Sequence, residues 1–446
     1  MLNYLKERKK EEMSNNIPNS EIFEVKDGIL YMEGANTVEL ANKYGTPLIV
    51  YSKKSITDKC REIKKDFVDK YPNAKAAYAS KAFLTLKMCK IIEAEGMGLD
   101  VVSGGEFYTA MKAEFPAEKI SFHGNNKTPQ ELEYAIRGNV GIIIVDALDE
   151  IDLIEKICKE LGKKTKVIFR ITPEVSAGAH HHISTGKRDS KFGIPMDENI
   201  LYPQIEKAIN SEWVEYYGLH YHIGSQLFEN TGHLEALEHA LIIMEETKSR
   251  FDYQTPELII GGGFGIRYVE GEERLPYAYF LDPVMERVEA FCQEKGLELP
   301  VVGIEPGRSI VGEGGVTLYT VGSIKQIPDS TKYISIDGGM SDNIRPALYS
   351  AKYEAIIANK ADVEASDIVT ICGKLCETGD RIIDDALLAK AERGDIICVF
   401  STGAYGYSMS NNYNKIPKPA VILVDEGKDS IMVKRQSYED MIANEE

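Results

Sequence analysis

Residues 74–81 read Ala-Lys-Ala-Ala-Tyr-Ala-Ser-Lys, a short apolar run that ends in a lysine. Followed at once by a helical pattern, such a run has the texture of a buried strand carrying a polar residue at its carboxyl end. Seven more of the same kind come after it: Leu99–Val102, Ile120–His123, Gly141–Val145, Val167–Ile171, Gly218–Ile223, Leu258–Ile260 and Val301–Ile304, the last closed by Glu305. Helical stretches separate most of them, among them Leu84–Glu95, Gly105–Phe115, Glu150–Leu161, Ile200–Ile209, Leu234–Arg250 and Pro283–Lys295. Their apolar residues fall three and four apart, as on a helix with one buried face. This alternation predicts an α/β fold, a (β/α)8 barrel of TIM type. Barrels of this type do their chemistry where the strands end. Polar residues stand at those ends: Lys81, Asp100 and Ser103, His123 and Asn125, Arg170, His222 and Ser225, Gly261-Gly262-Gly263, and Glu305 with Arg308.

Beyond residue 311 the texture changes. Val316–Ile324, Tyr333–Ile336, Glu354–Ala358, Ile368–Ile371, Asp395–Phe400, Ala420–Val424 and Ile431–Lys434 read as strands, interrupted only by a helical stretch near Asp384–Ala391. They predict a mainly β C-terminal domain over residues 312–446. The barrel is expected over 51–311. Residues 21–50, with strand-like Phe23–Val25 and Leu30–Met32, are expected to associate with the β domain. Residues 1–20 read as an N-terminal extension, with Met13 as an alternative start.

The 446 residues carry 52 Lys plus Arg against 70 Asp plus Glu, a formal charge of −18. That surface repels phosphate backbones and anionic membranes, so neither nucleic acid nor membrane is an expected partner. It leaves room for a local anion pocket. No apolar run approaches the roughly 20 residues of a membrane span, and no apolar stretch follows the charged start as in a secretory leader. Cys60, Cys89, Cys158, Cys292, Cys372, Cys376 and Cys398 are odd in number, scattered and without a Cys-x-x-Cys pair. Free thiols in a reducing cytoplasm are the expectation.

Several segments could carry chemistry. Lys81 at a barrel mouth suits Schiff-base formation, although a lysine just past a strand is also an ordinary surface residue. Ile260-Gly261-Gly262-Gly263-Phe264-Gly265 bares backbone N–H groups after the seventh run, where barrels often hold phosphate; glycines also make plain turns. His220-Tyr221-His222-Ile223-Gly224-Ser225 is open to three readings. Both histidines could ligate a metal, His222 could stack on a flat cofactor while Ser225 bonds its phosphate, or both could be hydrogen-bonded interior groups. His180-His181-His182 reads as a loop. In Glu305-Pro306-Gly307-Arg308 a carboxylate could face a pyridine nitrogen and keep it protonated, or form a structural ion pair. Cys372-Gly373-Lys374-Leu375-Cys376-Glu377-Thr378-Gly379-Asp380 lacks metal-finger spacing; its thiol beside a carboxylate could donate a proton or simply be a buried cysteine.

Taken together and in order, these segments resemble the diaminopimelate decarboxylases, pyridoxal 5′-phosphate enzymes of the alanine racemase-like class. The resemblance runs from about Phe23 to the end. It is carried by Gly45-Thr46-Pro47, YASKA (78–82), GLDVVSGGE (98–106), FHGNNK (122–127), ISTG (183–186), SKFG (190–193), HIGSQ (222–226), GGGFG (261–265), EPGR (305–308), DGGM (337–340), CETGD (376–380), GAY (403–405) and NYN (412–414). It implies that Lys81 holds the cofactor covalently, His222 stacks on its ring and Glu305 faces the ring nitrogen. Gly263, Ser225, Gly307, Arg308 and Tyr405 are implied on the phosphate side. Arg308, Arg345, Tyr349, Glu377 and Tyr405 are implied to bind substrate, with Cys376 as proton donor. The resemblance further implies a homodimer in which Cys376 and Glu377 serve the other subunit's site. The implied reaction is decarboxylation of meso-2,6-diaminopimelate to L-lysine and CO2, the last step of lysine biosynthesis.

The sequence departs from the family's habit at Lys374, where many relatives have proline, and at Phe83, where many have asparagine; neither removes a proposed catalytic group. Three other readings remain on the sequence alone. One is a related decarboxylase of ornithine, arginine or carboxynorspermidine, for which Arg345 would have less use. The second is a non-catalytic barrel that binds the same cofactor, and the third a metal-dependent barrel hydrolase using His220 and His222.

Overall fold

The structure, a computed structural model, describes residues 17–19, 21–175 and 190–446. Residues 1–16, the three histidines at 180–182 and the segment 183–186 lie outside these. The chain separates by its contacts into two units. One consists of Thr57–Arg267 and Glu272–Ile310; the other of the chain up to Ile56, the short piece Tyr268–Gly271, and everything from Val311.

The first unit is a closed barrel. Its eight strands are Ala74–Ala79, Gly98–Val101, Ile120–Phe122, Ile142–Val145, Thr165–Thr172, Val214–His220, Glu257–Ile259 and Val301–Ile304. Every neighbouring pair is parallel, and the eighth strand closes onto the first with Ile304 opposite Ala76. Parallel strands covered on both faces read as continuous apolar runs. Ile142–Val145 is buried at all its residues, and Ile142, Ile144, Ile168 and Ile259 pack as one cluster.

The helices begin where local chemistry lets them. Ser103 Oγ accepts from Glu106 N to cap Gly104–Lys112, and Thr128 and Glu131 cap each other's backbone ahead of Pro129–Arg137. Helix Glu150–Leu161 stops at Gly162, whose φ of +62° an L side chain rarely adopts.

Between the third and fourth strands a lysine does structural work. Lys127 Nζ, almost wholly buried, donates to Gly124 O and Ile144 O at 2.7 Å and pairs with Glu150 Oε1 at 2.6 Å. Glu150 in turn accepts from Asp146 N at 2.9 Å. The mouth loop is thereby pinned to the end of the fourth strand.

The second unit is mainly β. A nine-stranded sheet takes its N-terminal member, Leu48–Ser52, between Gly315–Gln326 and Ala420–Asp425, antiparallel to the former and parallel to the latter. Phe23–Lys26, Ile29–Met32 and Ala35–Asn36 form a small separate sheet followed by helix Thr37–Tyr44. These pieces share one apolar cluster that includes Leu30, Met32, Leu40, Val50, Leu318, Cys398 and Ile422.

The helical expectation for Asp384–Ala391 is wrong. Arg381–Leu388 is a strand, antiparallel to Asp367–Cys372. The helix-favouring residues lose because the neighbouring strand offers a backbone ladder and buried places for Ile382, Ala386 and Leu388. The register shifts along this pair, and Asp385 takes a left-handed φ of +53° beside it. Among the described residues no helix is long and apolar enough to cross a membrane.

Removing the amine of Lys127 leaves the Glu150 carboxylate buried without its cation. Lys127→Ala is expected to cost about 3–5 kcal/mol of stability. A urea titration followed by circular dichroism checks this; an unchanged midpoint would show that the lysine is dispensable.

Candidate active site

The carboxyl ends of the barrel strands bring together residues that are far apart in the sequence. Glu305, directly after the eighth strand, is 8% exposed. Its Oε1 lies 2.9 Å from His123 Nε2 and its Oε2 3.0 Å from His220 Nε2. His123 follows the third strand and His220 ends the sixth; their rings meet edge to face with centroids 5.0 Å apart. Behind His123 stands Asp100 of the second strand, 2% exposed, with Oδ1 3.7 Å from the imidazole.

The charges of this cluster follow from its burial. Burial pushes the Glu305 carboxyl up, but His123 and His220 together outweigh it and hold it well below the usual carboxylate range. For His123, burial favours the neutral ring, yet Asp100 and Glu305 raise it above an ordinary histidine. Burial brings His220 down to about 4 despite Glu305. Glu305 is thus an ionised carboxylate flanked by two histidines whose proton affinities are shifted in opposite directions. Asp100 moves the other way: burial raises it, and the opposing pulls of His123 and Lys81 do not cancel that.

Lys81 occupies the single turn Ser80–Ala82 just past the first strand, and it is exposed rather than walled in. Its charge still reaches the cluster, since it pulls on Asp100 and on His222. His222 is half-buried, and burial followed by the Lys81 charge holds it well below its ordinary value, as a neutral imidazole. Gly262 N donates to its Nδ1 at 3.4 Å.

Ser225 Oγ accepts from Arg308 Nε and Nη2 at 3.1 and 2.9 Å. The glycine run lies against this segment. A Cβ on Gly263, at φ +99°, would collide with Gly224 O, and one on Gly262 with Glu305 O. Gln226 locks the same two loops together, donating to Ile266 O at 2.6 Å and accepting from Ile266 N at 3.2 Å. Gly307 sits where a Cβ would come within 3.0 Å of Ala79 Cβ, so the turn before Arg308 packs directly on the strand that leads to Lys81.

The remaining proposed site residues belong to the β unit. Arg345 is buried, and its Nη1 donates to Tyr268 OH at 3.0 Å and Tyr353 OH at 2.7 Å; among the described residues no carboxylate pairs with it. Tyr349 ends the short helix Arg345–Tyr349 and is 39% exposed. Cys376 and Glu377 are both exposed, and Tyr405 takes a left-handed φ of +62°.

Sequence reasoning placed Asp100 and His123 at strand ends but did not foresee that His123, not His222, would join His220. Among the described residues the group of three side chains close enough to share an ion is His123, His220 and Glu305. Their direct contacts of 2.9 and 3.0 Å are hydrogen-bond distances, and His222 is not part of the group, so the paired ligation by His220 and His222 is not what the barrel builds. Glu106 was also overlooked, although Ser103-x-x-Glu106 has the spacing of a reciprocal helix cap. Its carboxyl accepts from Val102 N at 2.7 Å and is pushed up to about 7 by burial.

The donor set fits pyridoxal phosphate. Glu305 Oε1 is a buried carboxylate oxygen that has the His123 ring 2.9 Å away but no well-directed hydrogen bond, and an ionised carboxylate there suits a pyridinium N–H. Lys81 supplies an amine, His222 a neutral ring, and Ser225, Arg308 and the side-chain-free Gly263 and Gly307 supply donors suited to a phosphate.

Known proteins agree. The family model described as pyridoxal-dependent decarboxylase, pyridoxal binding domain, matches residues 53–312. The chain is 48% identical to a diaminopimelate decarboxylase of Bacillus methanolicus, over 92% of this chain and 95% of the other. It is 46% identical to that of Bacillus subtilis, over 93% and 94%. A crystal structure of diaminopimelate decarboxylase from M. jannaschii in co-complex with L-lysine superposes with a TM-score of 0.90 at 35% identity, covering 97% of this chain and 99% of that one. With a closed barrel, a carboxylate held ionised at its mouth and relatives matched over nearly their full length, the chain belongs to the diaminopimelate decarboxylases, within the pyridoxal-dependent decarboxylase family.

Proposed function

We propose that the protein decarboxylates meso-2,6-diaminopimelate to L-lysine and CO2, the last step of lysine biosynthesis, using pyridoxal 5′-phosphate. The observation that carries this is the ionised Glu305 at the mouth of the barrel that bears Lys81, in a chain 48% identical to a diaminopimelate decarboxylase. Bound at this mouth, the cofactor supplies an electron sink for the electron pair left when CO2 departs.

The chain's own residues do the rest. Glu305 keeps a proton on the ring nitrogen, because its own proton affinity is held low by His123 and His220. Lys81 is the attachment point, and His222 presents a neutral imidazole to the ring. Ser225, Gly263, Gly307, Arg308 and Tyr405 bind the phosphate side. Arg308, Arg345, Tyr349, Glu377 and Tyr405 bind the substrate. Arg345, a buried guanidinium held by two tyrosine hydroxyls rather than a carboxylate, suits a distal carboxylate, and Glu377 a distal ammonium. That pairing favours a substrate with a second amino-acid head over ornithine or arginine. Cys376 returns a proton to the carbon that lost CO2.

We further propose a homodimer in which each copy lends Cys376 and Glu377 to the other's site; both side chains are exposed here. A cytoplasmic location is supported by seven cysteines that are all free, with Cys376 exposed as a thiol.

The test of the reaction is CO2 release from meso-diaminopimelate, ornithine and arginine side by side. Diaminopimelate is expected to dominate, and preference for ornithine would overturn the substrate assignment. Lys81→Ala is expected to lose the cofactor's borohydride-sensitive visible band and at least about a thousandfold in turnover.

Cys376→Ala is expected to keep the band while kcat falls by about 10²–10⁴-fold, the range for a lost general acid. Mixing it with Lys81→Ala and allowing subunits to exchange tests the shared site. Regain of up to about a quarter of native activity is expected for a symmetric dimer, whereas no regain would place both residues in a site built by one chain.

A further inference from the structure

DGGM (337–340), NYN (412–414) and the aspartate that ends CETGD have so far no role. In the β unit they interlock around one loop. The loop carrying Cys376 leaves strand Asp367–Cys372 and returns into strand Arg381–Leu388. Lys374 N donates to Gly338 O at 3.0 Å. Asp380 folds back under the loop, its Oδ2 accepting from Leu375 N at 2.9 Å and its Oδ1 from Met340 N at 2.7 Å. Gly339 and Gly373 leave space for that carboxylate, since a Cβ at either position would run into its oxygens. The base of the loop is therefore fixed to the segment 338–340.

The tip is fixed from another side. Asn414 Oδ1 accepts from the peptide N–H of Cys376 at 2.7 Å. Asn414 is itself in the left-handed region, at φ 52° and ψ 26°, where asparagine is tolerated better than most side chains. The turn that holds it there is well tied. Asn412 Nδ2 donates to Ile416 O at 2.8 Å and Gln436 Oε1 at 2.6 Å, Tyr413 N to Asn411 Oδ1 at 3.0 Å, and Asn411 N to Ser341 O at 3.0 Å. The turn and the cysteine loop thus hang from the same stretch, 338–341.

We propose that Asn414 is a positioning residue for the proton donor: it fixes the Cys376 peptide, and with it the direction from which the thiol delivers its proton. This rests on the reading of Cys376 as that donor. An exposed hydrogen bond contributes little to stability. Its worth is geometric, because a small displacement of a catalytic group can cost far more in rate than in folding.

Two substitutions separate the side-chain acceptor from the backbone conformation. Asn414→Gly accepts the left-handed φ but removes the oxygen, and Asn414→Asp keeps both. The holoenzymes are compared with native and Cys376→Ala protein for kcat, KM, melting temperature and visible spectrum. In deuterated water, the products are also compared for how one-sidedly the new deuterium enters lysine. For Asn414→Gly we expect kcat to fall by about tenfold to a hundredfold, with KM within about twofold, an unchanged cofactor band and mixed placement of the deuterium. Asn414→Asp is expected to restore native kcat and one-sided placement. If Cys376→Ala is crippled while Asn414→Gly keeps native kcat and placement, the positioning role is overturned and the donor assignment stands. If Cys376→Ala turns over normally, the donor assignment fails and this proposal with it. A fall in Asn414→Gly that Asn414→Asp does not rescue, or that follows loss of the cofactor band, also overturns it.

Discussion

A buried carboxylate is costly unless its oxygens are met by donors or positive charge. Glu305 meets that requirement with His123 on one oxygen and His220 on the other. Asp100, behind His123, raises the proton affinity of the ring that faces Glu305. The second, third, sixth and eighth strands must therefore end in register around one point. Closure of the barrel, with the eighth strand paired to the first, is what makes that register possible. The carboxylate's charge state is a property of the whole barrel more than of its own sequence neighbours.

Glycine serves the same end by letting backbones come together. Gly262 presses on the peptide of Glu305, Gly263 on Gly224, and Gly307 on Ala79. The sequence suggested a phosphate cradle made of bare amides. What the structure shows is that these glycines let three βα loops pack into one body, with Gln226 as the cross-link between two of them.

Much of this was legible beforehand. Eight apolar runs alternating with helical periodicity announced the barrel, because parallel strands covered on both faces have to be apolar along their length. The positions of Lys81, His222 and Glu305 at strand ends followed from the same pattern. The partnership of His123 with Glu305 was not legible, since nothing local records which strand ends will face each other across a closed sheet. The strand Arg381–Leu388 escaped for a related reason. Asp384-Asp385-Ala386-Leu387-Leu388 favours a helix on its own, and only the ladder with Asp367–Cys372 makes it extended. The exposed pair Cys376-Glu377 drew its meaning from the family resemblance; a solvent-facing thiol beside a carboxylate has no distinctive local signature.

The strand Leu48–Ser52 pairs with Gly315–Leu318 on one side and Ala420–Val424 on the other. On the ribosome it is made before the barrel and must wait through the whole of it for either partner. For that time it is a five-residue, mainly apolar ribbon with two unsatisfied edges, open to any other extended chain. Closing the long loop around it costs chain entropy before its contacts can form. Vectorial synthesis therefore favours a barrel that completes itself first and a β unit that is sealed only as the last strands emerge.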